Sequence, residues 1–416
     1  SFTEQYPAGV TFFKTRDNSQ HGCLSRTRWP QHRKKFTGSH RQIDGVQSRH
    51  TAELLRNPVE GYRITAGCHW HASNSKRIIF AHLSKLLFAK YYAQGHTAPS
   101  ATLLVMNQQQ NNLPIIGQIG LGNLGNPMAV SALSNGYKMV VHSLDKNEAT
   151  NLIARGAVWA DTAAEVGAKS DVVITVLPTP KHVRQIMIGT GGVLEKMKHN
   201  TTFIDMSTSS VDIANEIKTL AEPRGIAVLE APVSFLAKAP IGASRTSASL
   251  QIFVGGPKEK FDEHLPLFRS LGGLPEQIYY AGTNGAGYAI KVLLNLLWFI
   301  HAAGTSEILA IGAKLGLDLR VIQKALCASP TQSNFLQYDI NSVFESGNYD
   351  EGFTIDLVCK DIQLGIALAE KTGVDVAVAR VVEQLHQRAL VEFGAKSGEM
   401  SVVKLYEQAA GTLFRD

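Results

Sequence analysis

From residue 113 onward, apolar residues gather into short, nearly uninterrupted runs. LPIIGQI (113–119), YKMVVH (137–142), DVVITVL (171–177), TFIDM (202–206), residues 226–229 and LQIFV (250–254) each read as a strand. Runs this short, apolar at consecutive positions, predict strands buried on both faces, as in a parallel sheet covered by helices. Residues 126–135 read as a helix, with Pro127 in its first turn and Gly136 just past its end. After Gly282 the pattern changes to helical. A long helix is predicted over 284–314, followed by helices at 319–328, 355–371, 377–393 and 401–413, with Gly316, Gly373 and Gly394 as punctuation. The expected architecture is α/β with a mostly parallel sheet over 106–281. An all-α C-terminal domain over 282–416 follows, joined by a long interdomain helix.

The first strand runs directly into Gly120-Leu121-Gly122-Asn123-Leu124-Gly125, a GxGxxG that opens the first helix. Strand, glycine turn, helix and strand in this order form a dinucleotide-binding fingerprint and define a Rossmann domain. Gly120 permits the tight turn, Gly122 lets a pyrophosphate approach the backbone, and Gly125 lets helix and strand pack closely. The helix N-terminus offers unpaired N–H groups to the phosphates. In such sheets ligands lie beyond the carboxyl ends of the strands, so Leu177, Pro178, Thr179, Ser207, Thr208 and Ser234 are expected to line the cleft. Thr208 is equally readable as a helix N-cap. Where an acid after the second strand would favour NAD, the chain has Ser143, followed by Asp145 and Lys146. This leans the expected cofactor from NAD towards NADP.

Lys291 lies among Ile290, Val292, Leu293 and Leu294, with Asn295 one turn later on the same helical face. An amine desolvated in this way suits proton transfer, although a lysine can also snorkel to solvent beside a locally bonded asparagine. Residues 113–416 resemble the β-hydroxyacid dehydrogenase family, which includes 3-hydroxyisobutyrate dehydrogenase, tartronate semialdehyde reductase and glyoxylate/succinic semialdehyde reductases. The resemblance is carried by GLGNLGNPMA at 120–129, EAPVS at 230–234, GAGYAIK…N at 285–295 and FTIDLVCKD at 353–361. It implies an oxidoreductase moving hydride between a nicotinamide and a small carboxylate-bearing β-hydroxy acid or semialdehyde. It also implies Lys291 as general acid/base, Asn295 and Ser234 as substrate ligands, Lys360 beside the cofactor, and a homodimer or homotetramer. A catalytically silent dinucleotide-binding scaffold and an imine-reducing relative are the alternatives, and relatives of both kinds tend to lack the lysine. The chain departs from the family pattern after Ser234. Phe235 and Leu236 stand where the family usually has glycines, and the segment up to Ser249 is longer than usual.

Composition changes the picture at the front of the chain. Residues 1–105 carry 15 Lys and Arg against 5 Asp and Glu, whereas the remainder holds 26 against 30. All seven Met lie at or after Met106. The segment is therefore expected to be a poorly ordered leader or to lie outside the working protein. A targeting leader, and hence a mitochondrial rather than cytoplasmic location, is the second reading. A basic arm for nucleic acid is the third, but no recognition module supports nucleic acid as a partner. Neither Cys68-His69-Trp70-His71 nor the four Cys have zinc-ligand spacing, so no metal is expected. No run of 18 apolar residues predicts a membrane span.

Overall fold

The computed structural model describes residues 113–235, 250–350 and 352–415. The expectations for residues 1–105 and for most of the long segment after Ser234 lie outside these residues.

The described strands are β1 (Ile116–Ile119), β2 (Met139–His142), β3 (Val158–Trp159), β4 (Val172–Thr175), β5 (Thr202–Asp205), β6 (Ala227–Glu230), β7 (Val233–Phe235), β8 (Leu250–Gly255) and β9 (Gly273–Gly282). They form one sheet of order β3-β2-β1-β4-β5-β6-β8-β7, with β9 added on β8. From β3 through β6 every pairing is parallel. β8 runs antiparallel to β6 and β7 and parallel to β9. β1, β4 and β5 are buried along their whole length, as consecutive apolar residues require. Hydrophobic clusters cover both faces of the sheet, one around Ile116, Met128, Val141 and Ile204, the other around Val140, Val173, Met187 and Phe203.

The longer helices of this layer are α1 (Gly125–Ser134), α2 (Ala163–Lys169), α3 (Pro180–Ile188), α4 (Val211–Ala221) and α5 (Lys258–Ser270). Short polar side chains start several of them. Thr162, Thr179 and Ser210 accept from the backbone amides of Glu165, His182 and Ile213, satisfying N–H groups that a helix start leaves unpaired. Ser210, not Thr208, is the cap of α4, which frees Thr208 from that role.

Beyond β9 the described chain is helical: α6 (Ala286–Lys314), α7 (Leu319–Cys327), α8 (Ile355–Thr372), α9 (Ala377–Phe393) and α10 (Ser401–Ala410). α8 and α10 end on left-handed Gly373 and Gly411, where a side chain would be strained. A separate core gathers Phe299, Phe335, Phe344, Val358, Ile362 and Val403. By length and composition α6 is apolar enough to cross a membrane, a property the count of consecutive apolar residues missed. Here Val292, Leu296, Phe299, Ala303 and Leu309 are buried within the protein, so one face of α6 packs into the core.

Candidate active site

Pairing in register sets the strand ends in one row. His142, Ile119, Thr175, Asp205 and Glu230 are successive partners across the sheet. The residues that follow them therefore emerge together along one edge. The Gly120 amide donates to the His142 carbonyl at 3.0 Å, which places Ser143 beside the glycine turn.

The three glycines of the turn meet different surroundings. Gly120 has φ +95°, and a Cβ there would lie 2.2 Å from the Val176 carbonyl oxygen. A Cβ at Gly125 would lie 2.2 Å from the Gly120 carbonyl oxygen. At Gly122 a Cβ would meet nothing within 4 Å. The first and third glycines thus serve close backbone packing, while the second faces open space at the start of α1. Leu124 at the N-cap offers no side-chain bond to that helix start. An open glycine beside uncapped amides fits a dinucleotide pyrophosphate. Leu121 is 2% exposed and lies in the core, and Leu124 packs against the same cluster. Only the backbone of Leu121 can face a cofactor. Asn123 is exposed, and its Nδ2 donates to the Gly352 carbonyl at 3.5 Å.

Two buried carboxylates hold the first turn of α6 to the sheet. Asp205 accepts from Thr175 Oγ1 at 2.8 Å, from the Ser207 amide at 3.0 Å and from the Tyr288 hydroxyl. Ser207 Oγ in turn accepts from the Leu177 amide at 2.8 Å. Burial pushes Asp205 above its ordinary range, against these donors. Glu230 accepts from the Gly285 amide and, at 3.3 Å, from Asn284 Nδ2. Burial raises it to about 7.

Lys291 lies in the second turn of α6 and is 8% exposed. One turn further on, Asn295 Nδ2 donates to Asp361 Oδ2 at 2.7 Å. Asp361, on α8, is fully buried, and its other oxygen lies 2.8 Å from the ammonium of Lys360. Lys360 also donates to the carbonyls of Pro178 at 3.0 Å and Thr208 at 3.1 Å. Five residues from four stretches of chain are therefore joined: Asn295, Lys360, Asp361, Pro178 and Thr208. Ser234 stands on β7, paired with Gln251 of β8. β8 also abuts the start of α6, since a Cβ at Gly287 would lie 2.4 Å from the Phe253 carbonyl oxygen. Ser143 donates from its hydroxyl to the Glu148 carboxylate.

Sequence reading did not single out Asp361, Tyr288, Asp205 or Glu230. Asp205 and Glu230 carried a usable signal, an acid closing an otherwise apolar strand, which demands partners where it is buried. Asp361 closes the FTIDLVCKD motif, but nothing local pairs it with Asn295, which is 66 residues away.

A family model described as the NAD binding domain of 6-phosphogluconate dehydrogenase matches residues 115–282. A second, described as the NAD-binding region of NADP-dependent 3-hydroxyisobutyrate dehydrogenase, matches residues 285–406. The 3-hydroxyisobutyrate dehydrogenase of Pseudomonas aeruginosa is 33% identical over 306 residues, covering 70% of this chain and 98% of that protein. The 2-(hydroxymethyl)glutarate dehydrogenase of Eubacterium barkeri is 30% identical over 296 residues, covering 71% of this chain and 96% of its own length. A solved structure of the Mycobacterium tuberculosis 3-hydroxyisobutyrate dehydrogenase with L-serine superposes with a TM-score of 0.61 and 26% identity, over 70% of this chain and 99% of that one. The chain belongs to the β-hydroxyacid dehydrogenase family, NAD(P)-dependent oxidoreductases acting on CH–OH groups.

Proposed function

We propose that this protein interconverts a small β-hydroxy acid and the corresponding semialdehyde or oxo acid, with Lys291 as the general acid/base. The observation that carries this reading is the Asn295–Asp361–Lys360 cluster. It ties the helix bearing Lys291 to the strand ends beside the glycine turn. The names of the similar proteins, two of which act on hydroxy acids, support the same substrate class.

The backbone of Gly120–Gly125 would hold the pyrophosphate, with Leu177, Pro178 and Thr208 along the cleft and Lys360 beside it. When bound, the nicotinamide accepts or supplies the hydride. The chain's own residues manage the proton and the geometry. During reduction Lys291 donates a proton to the substrate oxygen, and during oxidation it takes that proton from the hydroxyl. Asp361 holds one N–H of Asn295, which fixes the amide plane and leaves Oδ1 and the second N–H for substrate and Lys291. Lys360 offsets the buried charge of Asp361 and is itself held by two strand-end carbonyls. Ser234 binds a carboxylate oxygen of the substrate. A second copy of the chain covers the exposed apolar stripe of α6, giving a homo-oligomer.

The test is oxidation of NADH and NADPH by the full chain with glyoxylate, succinic semialdehyde and methylmalonate semialdehyde. Turnover of at least one carbonyl compound is expected. Lys291→Ala should lose about 10²–10⁴-fold in kcat while still binding dinucleotide. Turnover by that variant at the parent rate would refute the role given to Lys291. Dinucleotide binding without turnover of any compound would favour a silent scaffold.

A further inference from the structure

Ser143 directly follows β2, and the carbonyl of its neighbour His142 bonds the first glycine of the turn at 3.0 Å. In an open parallel sheet this strand end receives the ribose of the adenosine half of a dinucleotide. The Ser143 hydroxyl is bonded to the Glu148 carboxylate. Glu148 belongs to the short turn Lys146–Ala149. Its carbonyl accepts from Asn126 Nδ2 at 2.6 Å, and Asn126 sits in the first turn of α1. Asn126 is itself tied to Asn151 at 2.9 Å. The Glu148 backbone is thereby anchored to the start of α1, and its carboxylate is held at the end of β2.

The other charged groups nearby are engaged elsewhere. Asp145, at the spacing where an acid would be sought from sequence, accepts the Asn147 amide at 2.9 Å as a cap. The Lys146 ammonium is drawn over the Trp159 ring, 5.6 Å from its centroid. Leu144, the residue after Ser143, is fully exposed and carries no charge.

We infer that Glu148 is the residue by which this protein selects a dinucleotide with a free ribose 2′-hydroxyl over one with a 2′-phosphate, so that NAD(H) is preferred to NADP(H). The inference rests on the dinucleotide-dependent reading above. An ionised carboxylate accepts hydrogen bonds from ribose hydroxyls but repels a phosphate. Ser143 alone suggests the opposite preference. Its role reverses because the acid arrives from five residues further on and sits on its hydroxyl.

Equilibrium titration of the full chain with NADH and with NADPH, followed by nicotinamide fluorescence and by calorimetry, reads the preference directly. NADH should bind tighter by about tenfold or more, the scale of one lost favourable contact in a discriminating site. Glu148→Gln should close most of that gap, chiefly by strengthening NADPH. It should leave the melting temperature unchanged, because Asn126 holds the backbone carbonyl and not the side chain. Glu148→Arg should reverse the preference. Equal affinities in the parent, tighter NADPH, or an unchanged ratio in Glu148→Gln would each overturn the inference while leaving the enzyme reading intact. Binding of neither dinucleotide would overturn that reading itself, and this inference with it.

Discussion

Three glycines in one turn make three different demands, and substitution should separate them. Gly122→Ala adds a methyl group to open space. It should leave the melting temperature unchanged and weaken dinucleotide binding by about tenfold or more, since the methyl occupies the approach to the helix amides. Gly120→Ala forces a side chain onto φ +95° and against the Val176 carbonyl. It should cost about 1–3 kcal/mol from backbone conformation alone, read as a lower melting temperature whether or not cofactor is present. Equal effects from the two substitutions would contradict this division of labour. Glu230 makes a pH prediction. Its carboxyl is raised from 4.5 to about 7 by burial. A raised acid contributes stability fully below about 4.5, and that contribution is lost as pH rises through about 7. The span is worth on the order of 3 kcal/mol. His386 acts in the opposite sense. Burial lowers it from 6.5 to about 4, so its contribution is present above 6.5 and lost as pH falls through about 4. Glu230→Gln should therefore raise the melting temperature at pH 8 more than at pH 5, and an identical gain at both would argue against a buried, titrating Glu230.

Among the elements, α6 carries most of the design, because it presents different faces to different partners. Lys291 and Asn295 lie one turn apart on the same helical face, and Asn295 meets Asp361. Val292, Leu296, Phe299 and Ala303 are buried. Ile290, Leu293, Leu297, Ile308, Ile311 and Leu315 are exposed. Their steps of three, four, eleven, three and four residues keep them on one stripe of a helix. In the sequence, Leu296, Leu297, Trp298, Phe299 and Ile300 form an apolar run with no polar face, which left core and exposed face indistinguishable there. α8 supplies a second test. Asp361→Ala would leave Asn295 free to rotate and Lys360 without its carboxylate. A loss of about 10-fold or more in kcat/KM is expected, comparable to removing a buried charged partner of a site residue. Asp361→Asn should be milder, because an amide oxygen still accepts from Asn295. Parent-like activity in Asp361→Ala would show that the cluster does not position the substrate-binding amide.

At the scale of the molecule, the helical layer is tied to the sheet around the candidate site. Lys360 bonds Pro178 and Thr208, Lys371 pairs with Asp212, and Asn123 reaches Gly352. These contacts fall along the carboxyl edge of the strands, the edge that carries the glycine turn. The exposed stripe on α6 is the surface that a second copy of the chain would cover. Light scattering during size exclusion should report a dimer or larger assembly. The double substitution Leu293→Glu and Ile311→Glu should yield a monomer, since two buried charges at one seam have no partners. A monomeric parent, or an oligomer indifferent to both charges, would remove the stripe from the interface.

Local signals determined the elements whose pattern is strong. Consecutive apolar residues give the central parallel strands. GLGNLG between strand and helix gives the cofactor turn. The change of period after Gly282 gives the helical layer. Weaker patterns were lost: β3 has two residues, β7 has three beside Pro232, and β9 contains Pro275 and is buried only at Gly273 and Ile278. The antiparallel β8 was legible as a strand but not in its direction, because direction depends on partners. The tertiary structure alone decided that Asp145 would cap a turn while Glu148 reached Ser143. It also decided that Asp361 would meet Asn295 and that Asp205 would meet Tyr288. Periodicity records which way a side chain points along its own element. Which distant group it meets is decided by packing between elements far apart in the chain, and that has no local signature.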